Sequence, residues 1–347
     1  MKNVIDTFQK IIPSGIEAFI RRYEILKGLE QFAPIGRRSL ADKLNISERV
    51  LRNDTDYLKK NGFIEVAKIG MSLSKSGHNI IIKLDIIMNE VKGITYMEEK
   101  LQTIFGEIKV MVVPGNADED SSVKDLLGKE ASNILLNNLK NDSIVAITGG
   151  STVQKIVQKL NFGDKKNSDV LVVPARGGVG KNVDYHANTL ASKLALKIGA
   201  SYMLLNVPDN LREKALKSVE QEPEIKTTIS YLSNASIVIF GIGDALKMAE
   251  QRNLPHLLIE DLKNKGAVGE AFGYYFNRSG EIVYKSRTIG VKLESMKKLP
   301  FSIAVAGGYS KAKAIIALRK YLKKGYLIID EGAAKEIITQ YDLMNEC

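Results

Sequence analysis

Between residues 108 and 329 the chain carries seven short runs of apolar, mostly β-branched residues, at 108–113, 143–147, 170–173, 202–206, 237–240, 303–306 and 326–329. Helical patterns separate most of them. A strand that is apolar along its whole length has to be covered on both faces. Strands of that kind alternating with helices specify a parallel sheet between helical layers. The class predicted for this part of the chain is therefore α/β, with ligands bound beyond the carboxyl ends of the strands.

Four of those ends share a chemistry. The run 143–147 leads into Thr148-Gly149-Gly150-Ser151-Thr152 and a helix, and 303–306 into Gly307-Gly308-Tyr309-Ser310-Lys311 and another helix. The run 170–173 leads into Pro174-Ala175-Arg176-Gly177-Gly178, and 237–240 into Gly241-Ile242-Gly243-Asp244. Glycine lets backbone approach a ligand closely, and the free N–H groups at a helix start carry partial positive charge. Ser151, Thr152 and Ser310 add hydroxyl donors, and Lys311 adds a full charge. One glycine turn of this kind is ordinary where a parallel strand meets a helix. Four, with donors or charges at the strand ends, point to a phosphate site, and two strand–loop–helix cradles fit a ligand with two anionic groups.

Other chemistries find no support. Gly180-Lys181 is followed by Asn182, so there is no phosphate-binding P-loop, and Gly241-x-Gly243 lacks the third glycine of a dinucleotide fingerprint. His78, His186 and His256 are scattered without metal spacing, and there is no Cys/His cluster or nucleophile elbow. No catalytic residue, metal or cofactor is expected. Cys347 is the single cysteine, so no internal disulfide points to an oxidising compartment. No apolar run approaches the ~20 residues of a membrane span. Lys10, Pro13, Glu17, Arg21 and Arg22 interrupt the first 30 residues, which excludes a signal-peptide core. A cytoplasmic protein without membrane contact is the expectation.

The front end reads differently. Residues 1–83 hold 15 basic and 9 acidic side chains, a net +6 out of +10 for the whole chain. A small basic segment on a nearly neutral body fits an acidic polymer as partner. Ser14-x-x-Glu17 opens an apolar helical stripe that Pro34 and Gly36 end. Ser39 is predicted to cap a short helix over 40–44, Asn45-Ile46 to turn, and Ser47 to cap a helix ending at Asn61-Gly62. Two helices about three residues apart are a helix-turn-helix. Val50, Leu51, Tyr57 and Leu58 make the inner face of the second helix, and Glu48, Arg49, Arg52, Asn53, Asp56 and Lys59 the outer one. Arg52 and Asn53 are side chains that read guanine and adenine edges with two hydrogen bonds, and Ser47 at the helix start suits a phosphate. Residues 63–67 and 71–73 form a short hairpin, a wing. The candidate DNA contacts are Ser47, Arg49, Arg52 and Asn53.

Residues 75–105 are expected to be mostly helical, broken at Gly93, with Thr95-x-x-Glu98 as a second capping box. The expected division is a winged helix-turn-helix at 1–83, a helical linker at 84–106 and an α/β ligand domain at 107–347.

The ordered set of motifs, 148–152, 174–178, 241–244, Gly269-Glu270-Ala271-Phe272-Gly273 and 307–311 behind a winged helix-turn-helix, resembles the SorC family of bacterial transcription regulators over essentially the whole chain. The resemblance implies an N-terminal DNA-binding domain and an effector domain related in fold to sugar-phosphate isomerases and deaminases, which binds a phosphorylated sugar without turning it over. For the glycolytic branch of the family it implies fructose 1,6-bisphosphate as effector, a glycolytic operon as target, and dimers and tetramers on operator DNA that the sugar weakens. Carried over, Gly149, Gly150, Ser151 and Thr152 hold one phosphate and Lys311 pairs with phosphate. Arg176 and Arg252 match pocket arginines whose planar forks suit phosphate oxygens, and Glu270 accepts from sugar hydroxyls. Arg252 also fits a surface arginine of a helix. The competing reading is an enzyme, a sugar-phosphate isomerase or deaminase fused to a DNA-binding domain, with Asp244 or Glu270 moving the proton.

Overall fold

The computed structural model describes residues 11–91, 93–161, 169–177, 183–208, 211–293 and 301–345. Gly178 and the Gly180-Lys181-Asn182 run lie outside them. The chain divides into two compact units, Met1–Tyr96 and Met97–Cys347.

In the first unit the helices Pro13–Phe32, Arg37–Leu44 and Glu48–Lys60 precede strands β1 (Ile64–Ala67) and β2 (Gly70–Leu73) and the helix Lys75–Val91. Their apolar faces close one core around Ile25, Leu29, Leu40, Leu51, Leu58, Met71 and Ile81. Each such side chain, fully buried, contributes about 1.5–3 kcal/mol. Asn45, in the left-handed region at φ 52°, makes the turn between the second and third helices. The Ser47 hydroxyl accepts from the Val50 N–H at 3.3 Å and so caps the third. Ser74 caps the next helix in the same way, accepting from the Gly77 N–H at 3.0 Å.

Three expected caps are corrected. Ser14 falls inside the first helix, whose N-cap position is Ile12. Ser39 lies inside the second, which begins after Gly36. There Ile35 exchanges two backbone hydrogen bonds with Met71 (3.2 and 2.8 Å), which holds the chain extended as far as Gly36 and adds a third chain segment to the wing beside β2. Thr95 lies inside the helix Ile94–Phe105. Glu98 reaches away from that helix start, accepting from the Val112 N–H at 2.8 Å. Tyr57 is also misplaced on the inner face: it is exposed, with the Arg22 guanidinium stacked 3.7 Å from its ring centre.

The second unit is built on a seven-stranded parallel sheet. Its strands are β3 (Lys109–Val113), β4 (Ile144–Ile147), β5 (Leu171–Pro174), β6 (Ser201–Tyr202), β7 (Ile237–Gly241), β12 (Ser302–Ala306) and β13 (Gly325–Asp330). They lie in the order β3-β13-β12-β7-β4-β5-β6. All seven apolar runs are strands of this sheet, because burial on both faces leaves a continuous apolar signature. The run 202–206 pairs only at its first residue. Beyond it, Asn188 takes the place of a neighbouring strand, its carboxamide accepting from the Leu205 N–H and donating to the Leu205 carbonyl (2.9 and 3.2 Å).

A second, antiparallel sheet runs β11-β10-β9-β8, from β8 (Gly243–Asp244), β9 (Ala267–Ala271), β10 (Tyr274–Asn277) and β11 (Ile282–Lys285). Two of the sequence motifs belong to it. In the 269–273 motif Gly269, Glu270 and Ala271 are in β9, and Phe272 and Gly273, both at positive φ (54° and 86°), form the hairpin turn. Two successive left-handed residues match the twist of a tight hairpin. Gly243-Asp244 likewise pairs with β9, against Glu270 and Gly269.

Candidate functional site

In the helix Glu48–Lys60, Leu51, Asp54, Thr55 and Leu58 are buried, while Ser47, Arg49, Arg52 and Asn53 are exposed. Arg52 donates to Glu48 one turn earlier at 3.2 Å. The helix is fixed from beneath by Asp54, which accepts from Arg21 (2.5 Å) and Arg22 (2.8 Å). Burial alone pushes the Asp54 carboxyl up, but the two arginine hydrogen bonds and charges outweigh it and hold the group below its ordinary range. An outer face of arginine and asparagine on a helix anchored from behind can meet a nucleic-acid groove without reorganising.

The four strand ends singled out in the parallel sheet open into one cavity of about 620 Å³. Gly149, Gly150, Ser151, Thr152, Arg176, Arg252, Glu270 and Lys311 all line it. At the end of β4, a β-carbon on Gly149 would lie 2.3 Å from the Tyr185 carbonyl oxygen, and Gly150 sits at φ 122°. Both positions therefore require glycine. The Gly150 N–H donates to that same carbonyl at 2.9 Å. No side chain caps the following helix, Ser151–Lys159, so its first N–H groups have no side-chain acceptor from a cap. The Thr148 hydroxyl, also on the cavity wall, is buried and has no hydrogen-bond partner among the described residues.

At the end of β12 the chain passes Gly307 and Gly308 into the turn Tyr309–Lys311. Asp330, the fully buried last residue of β13, organises this corner. Its Oδ2 accepts from the N–H groups of Gly308 (2.6 Å) and Ala117 (2.7 Å), and its Oδ1 from Ala333 (2.9 Å). Burial pushes its carboxyl up, and the three donors act against that. The sequence reading missed Asp330, whose only signal was a carboxylate closing an apolar run. Burial also holds the Lys311 ammonium below its ordinary range, partly offset by Asp244 and Asp118.

Between these ends stands Glu270. It is 3% exposed, and its Oε1 accepts from the Gly273 N–H (2.6 Å) and from Arg252 (2.8 Å), with Arg176 at 3.7 Å. Arg252 follows the short helix Ala245–Gln251 as its C-cap residue, and its side chain turns inward onto Glu270 instead of to solvent. Tyr275 pairs with Glu270 across the hairpin, and burial pushes its hydroxyl up to about 12. Two arginines around one carboxylate leave this wall cationic and able to grip phosphate while an oxygen acceptor stays within reach of hydroxyls. Lys124 and Lys247, not singled out from the sequence, also line the cavity. Among the described residues no group of three or more His, Cys, Asp or Glu is placed to hold a metal ion, and no helix is long and apolar enough to cross a membrane.

Residues 19–88 match the family model of the CggR N-terminal DNA-binding domain, and residues 89–339 that of a sugar-binding domain. The chain is 41% identical over 343 residues to the central glycolytic genes regulator of Priestia megaterium, covering 99% of this chain and 100% of that one. It is 38% identical over 341 residues to the regulator of the same name from Bacillus subtilis, covering 97% and 99%. Among solved structures it is similar to a SorC family transcriptional regulator from Enterococcus faecalis, at 36% identity and a TM-score of 0.65 over 70% of this chain and 99% of that one. In fold it is also similar to the full-length sorbitol operon regulator SorC from Klebsiella pneumoniae, at 18% identity and a TM-score of 0.66 over 92% and 98%.

Proposed function

The chain belongs to the SorC family of sugar-binding transcriptional regulators, a regulator and not an enzyme, and from that premise we propose that it represses a glycolytic operon and is released by fructose 1,6-bisphosphate. The observation that carries the effector reading is the cavity itself, which two glycine-led cradles and the Arg176–Glu270–Arg252 cluster line together. Two anion sites with a carboxylate between them suit a ligand that is phosphorylated at both ends and hydroxylated in the middle. A carboxylate beside phosphate is repulsive unless the ligand also offers hydroxyl donors to it.

In this reading residues 1–83 read the operator through Ser47, Arg49, Arg52 and Asn53. Residues 84–106 connect, and 107–347 bind the effector through Gly149, Gly150, Ser151, Thr152, Arg176, Arg252, Glu270 and Lys311. The repressor acts in the cytoplasm as dimers and tetramers, so that several half-sites add avidity and a modest change in subunit contacts causes release. The sugar bisphosphate shifts the balance by binding one state of the assembly better than the other.

The test is a thermal-shift panel of fructose 1,6-bisphosphate, fructose 6-phosphate, dihydroxyacetone phosphate, glucosamine 6-phosphate and inorganic phosphate, followed by operator binding with each ligand. A ligand at ~100 times its dissociation constant stabilises by about 2.7 kcal/mol. A selective shift with the bisphosphate, accompanied by release of DNA, supports the reading. A shift only with a monophosphate replaces the effector, and tighter DNA binding with sugar reverses the sense of regulation.

A further inference from the structure

We propose that Asp118 is an internal occupant of the 307–311 cradle which the effector has to displace, so that this one carboxylate sets the sugar-phosphate concentration at which the protein responds. The proposal rests on the reading of the cavity as a sugar-phosphate site. Asp118 Oδ2 accepts from the backbone N–H of Ser310 at 2.9 Å, and Oδ1 accepts from the Ser310 hydroxyl at 3.1 Å. A β-carbon placed on Gly308 would lie 2.5 Å from that carboxylate, so the carboxylate rests directly on glycine backbone. Lys311 stands near enough to feel its charge. A backbone N–H, a hydroxyl and an ammonium on a glycine-led turn are the donors a phosphoryl group takes. Here a carboxylate from the chain itself holds the first two.

The backbone that carries Asp118 is fixed, whereas its side chain is exposed. The Ala117 N–H donates to buried Asp330 at 2.7 Å, and the Asp118 N–H to Asn116 Oδ1 at 3.2 Å. The N–H groups of Glu119 and Asp120 donate to the Asn116 carbonyl at 3.1 and 2.9 Å. Rotation about the Cα–Cβ bond of Asp118 therefore moves the carboxylate into water without unmaking the turn. A phosphoryl group and a carboxylate repel each other at contact distance. When phosphate enters, the carboxylate either leaves its donors or stays at a Coulombic cost. Either way, any ligand that fills this cradle binds more weakly by one common factor. A ligand seated only in the 148–152 cradle is unaffected.

The test is calorimetric titration of the full-length protein with fructose 1,6-bisphosphate and with inorganic phosphate, for wild type, Asp118→Ala and Asp118→Asn. Melting without ligand checks that each variant is folded. Asp118→Ala is expected to bind the bisphosphate roughly tenfold more tightly, the scale of one charge-assisted hydrogen bond. Asp118→Asn gains less, because its amide oxygen still accepts from Ser310 without the charge. The gain shrinks when Lys311→Ala is added, since the two side chains act on one cradle. Unchanged affinity in Asp118→Ala, with wild type binding the bisphosphate, overturns this proposal alone. Weaker affinity also overturns it and makes Asp118 a contact of the sugar. No bisphosphate binding by any variant overturns the sugar-phosphate reading and this proposal with it.

Discussion

Single side chains carry the electrostatics of both units, and in each case an ion pair is arranged around one buried carboxylate. Glu270 gathers Arg252 and Arg176 on the cavity wall, and Asp54 gathers Arg21 and Arg22 under the third helix. The arginine and lysine of the cavity give the first prediction. Arg176→Ala or Lys311→Ala should keep operator affinity and weaken the bisphosphate by at least tenfold, as loss of a charge-assisted contact requires. Paired band-shift and calorimetric measurements check this, and a variant that still releases DNA at the wild-type sugar concentration removes that residue from the site. Asp54 gives the second. Its carboxyl is held below the ordinary value of 3.8, so the stability it contributes is full above that pH and is lost as pH falls through the lower, folded value. Asp54→Asn should cost about 2 kcal/mol at neutral pH, a moderate figure because both arginines are a third exposed. The difference from wild type should close as pH falls below about 4. Melting curves between pH 7 and pH 3 report it, and an equal gap at every pH would count against the pairing as the cause.

At the scale of elements, the helix Glu48–Lys60 is the piece whose two faces do different work. Leu51 and Leu58 close the core, and Arg49, Arg52 and Asn53 face outward. Arg52→Ala should lower discrimination between operator and unrelated DNA by about 1–3 kcal/mol, the value of one bidentate base contact, while leaving the melting temperature nearly unchanged. Competition binding against a scrambled operator measures it, and unaltered discrimination assigns Arg52 to the phosphate backbone or to Glu48 alone. The parallel strands were legible from the sequence because runs such as Ser302–Ala306 are buried on both faces and contain nothing but small or apolar residues. The antiparallel sheet was not. Glycines and a glutamate inside β9 mimic a loop, and their reason is tertiary: Gly269 lies against the backbone of Ala314 and Glu270 pairs with arginines from two other segments. The glycines at the ends of β4 and β12, with Ser151, Thr152 and Lys311 beside them, were legible because a glycine at a strand end is a local requirement, whereas the pocket roles of Arg176, Arg252 and Glu270 came with the family resemblance. Asp330 and Asp118 were not legible, since each acts on the cradle from more than 20 positions away. The capping errors at Ser39 and Thr95 share one cause, a chain held by a bridge or a glycine turn before the polar residue is reached.

For the molecule as a whole, the proposed function requires a sugar bound in the second unit to change the affinity of the first for DNA. Linkage then makes the effect mutual. Whatever factor the bisphosphate takes from operator affinity, saturating operator should take from bisphosphate affinity, and titrating the sugar with and without operator tests this directly. Unequal factors would mean that a third component, such as assembly state, is moving in one experiment and not the other. The order of the parallel sheet has a metric consequence. The strands that deliver the two cradles, β4 and β12, are separated by β7 alone. Neighbouring strands stand about 4.8 Å apart, so the loops they carry are set about 10 Å apart by hydrogen-bond spacing. The sheet is thus a ruler. Substitutions on its rim can change what lines the cavity, but the distance between the two glycine-bearing loops is written into the backbone.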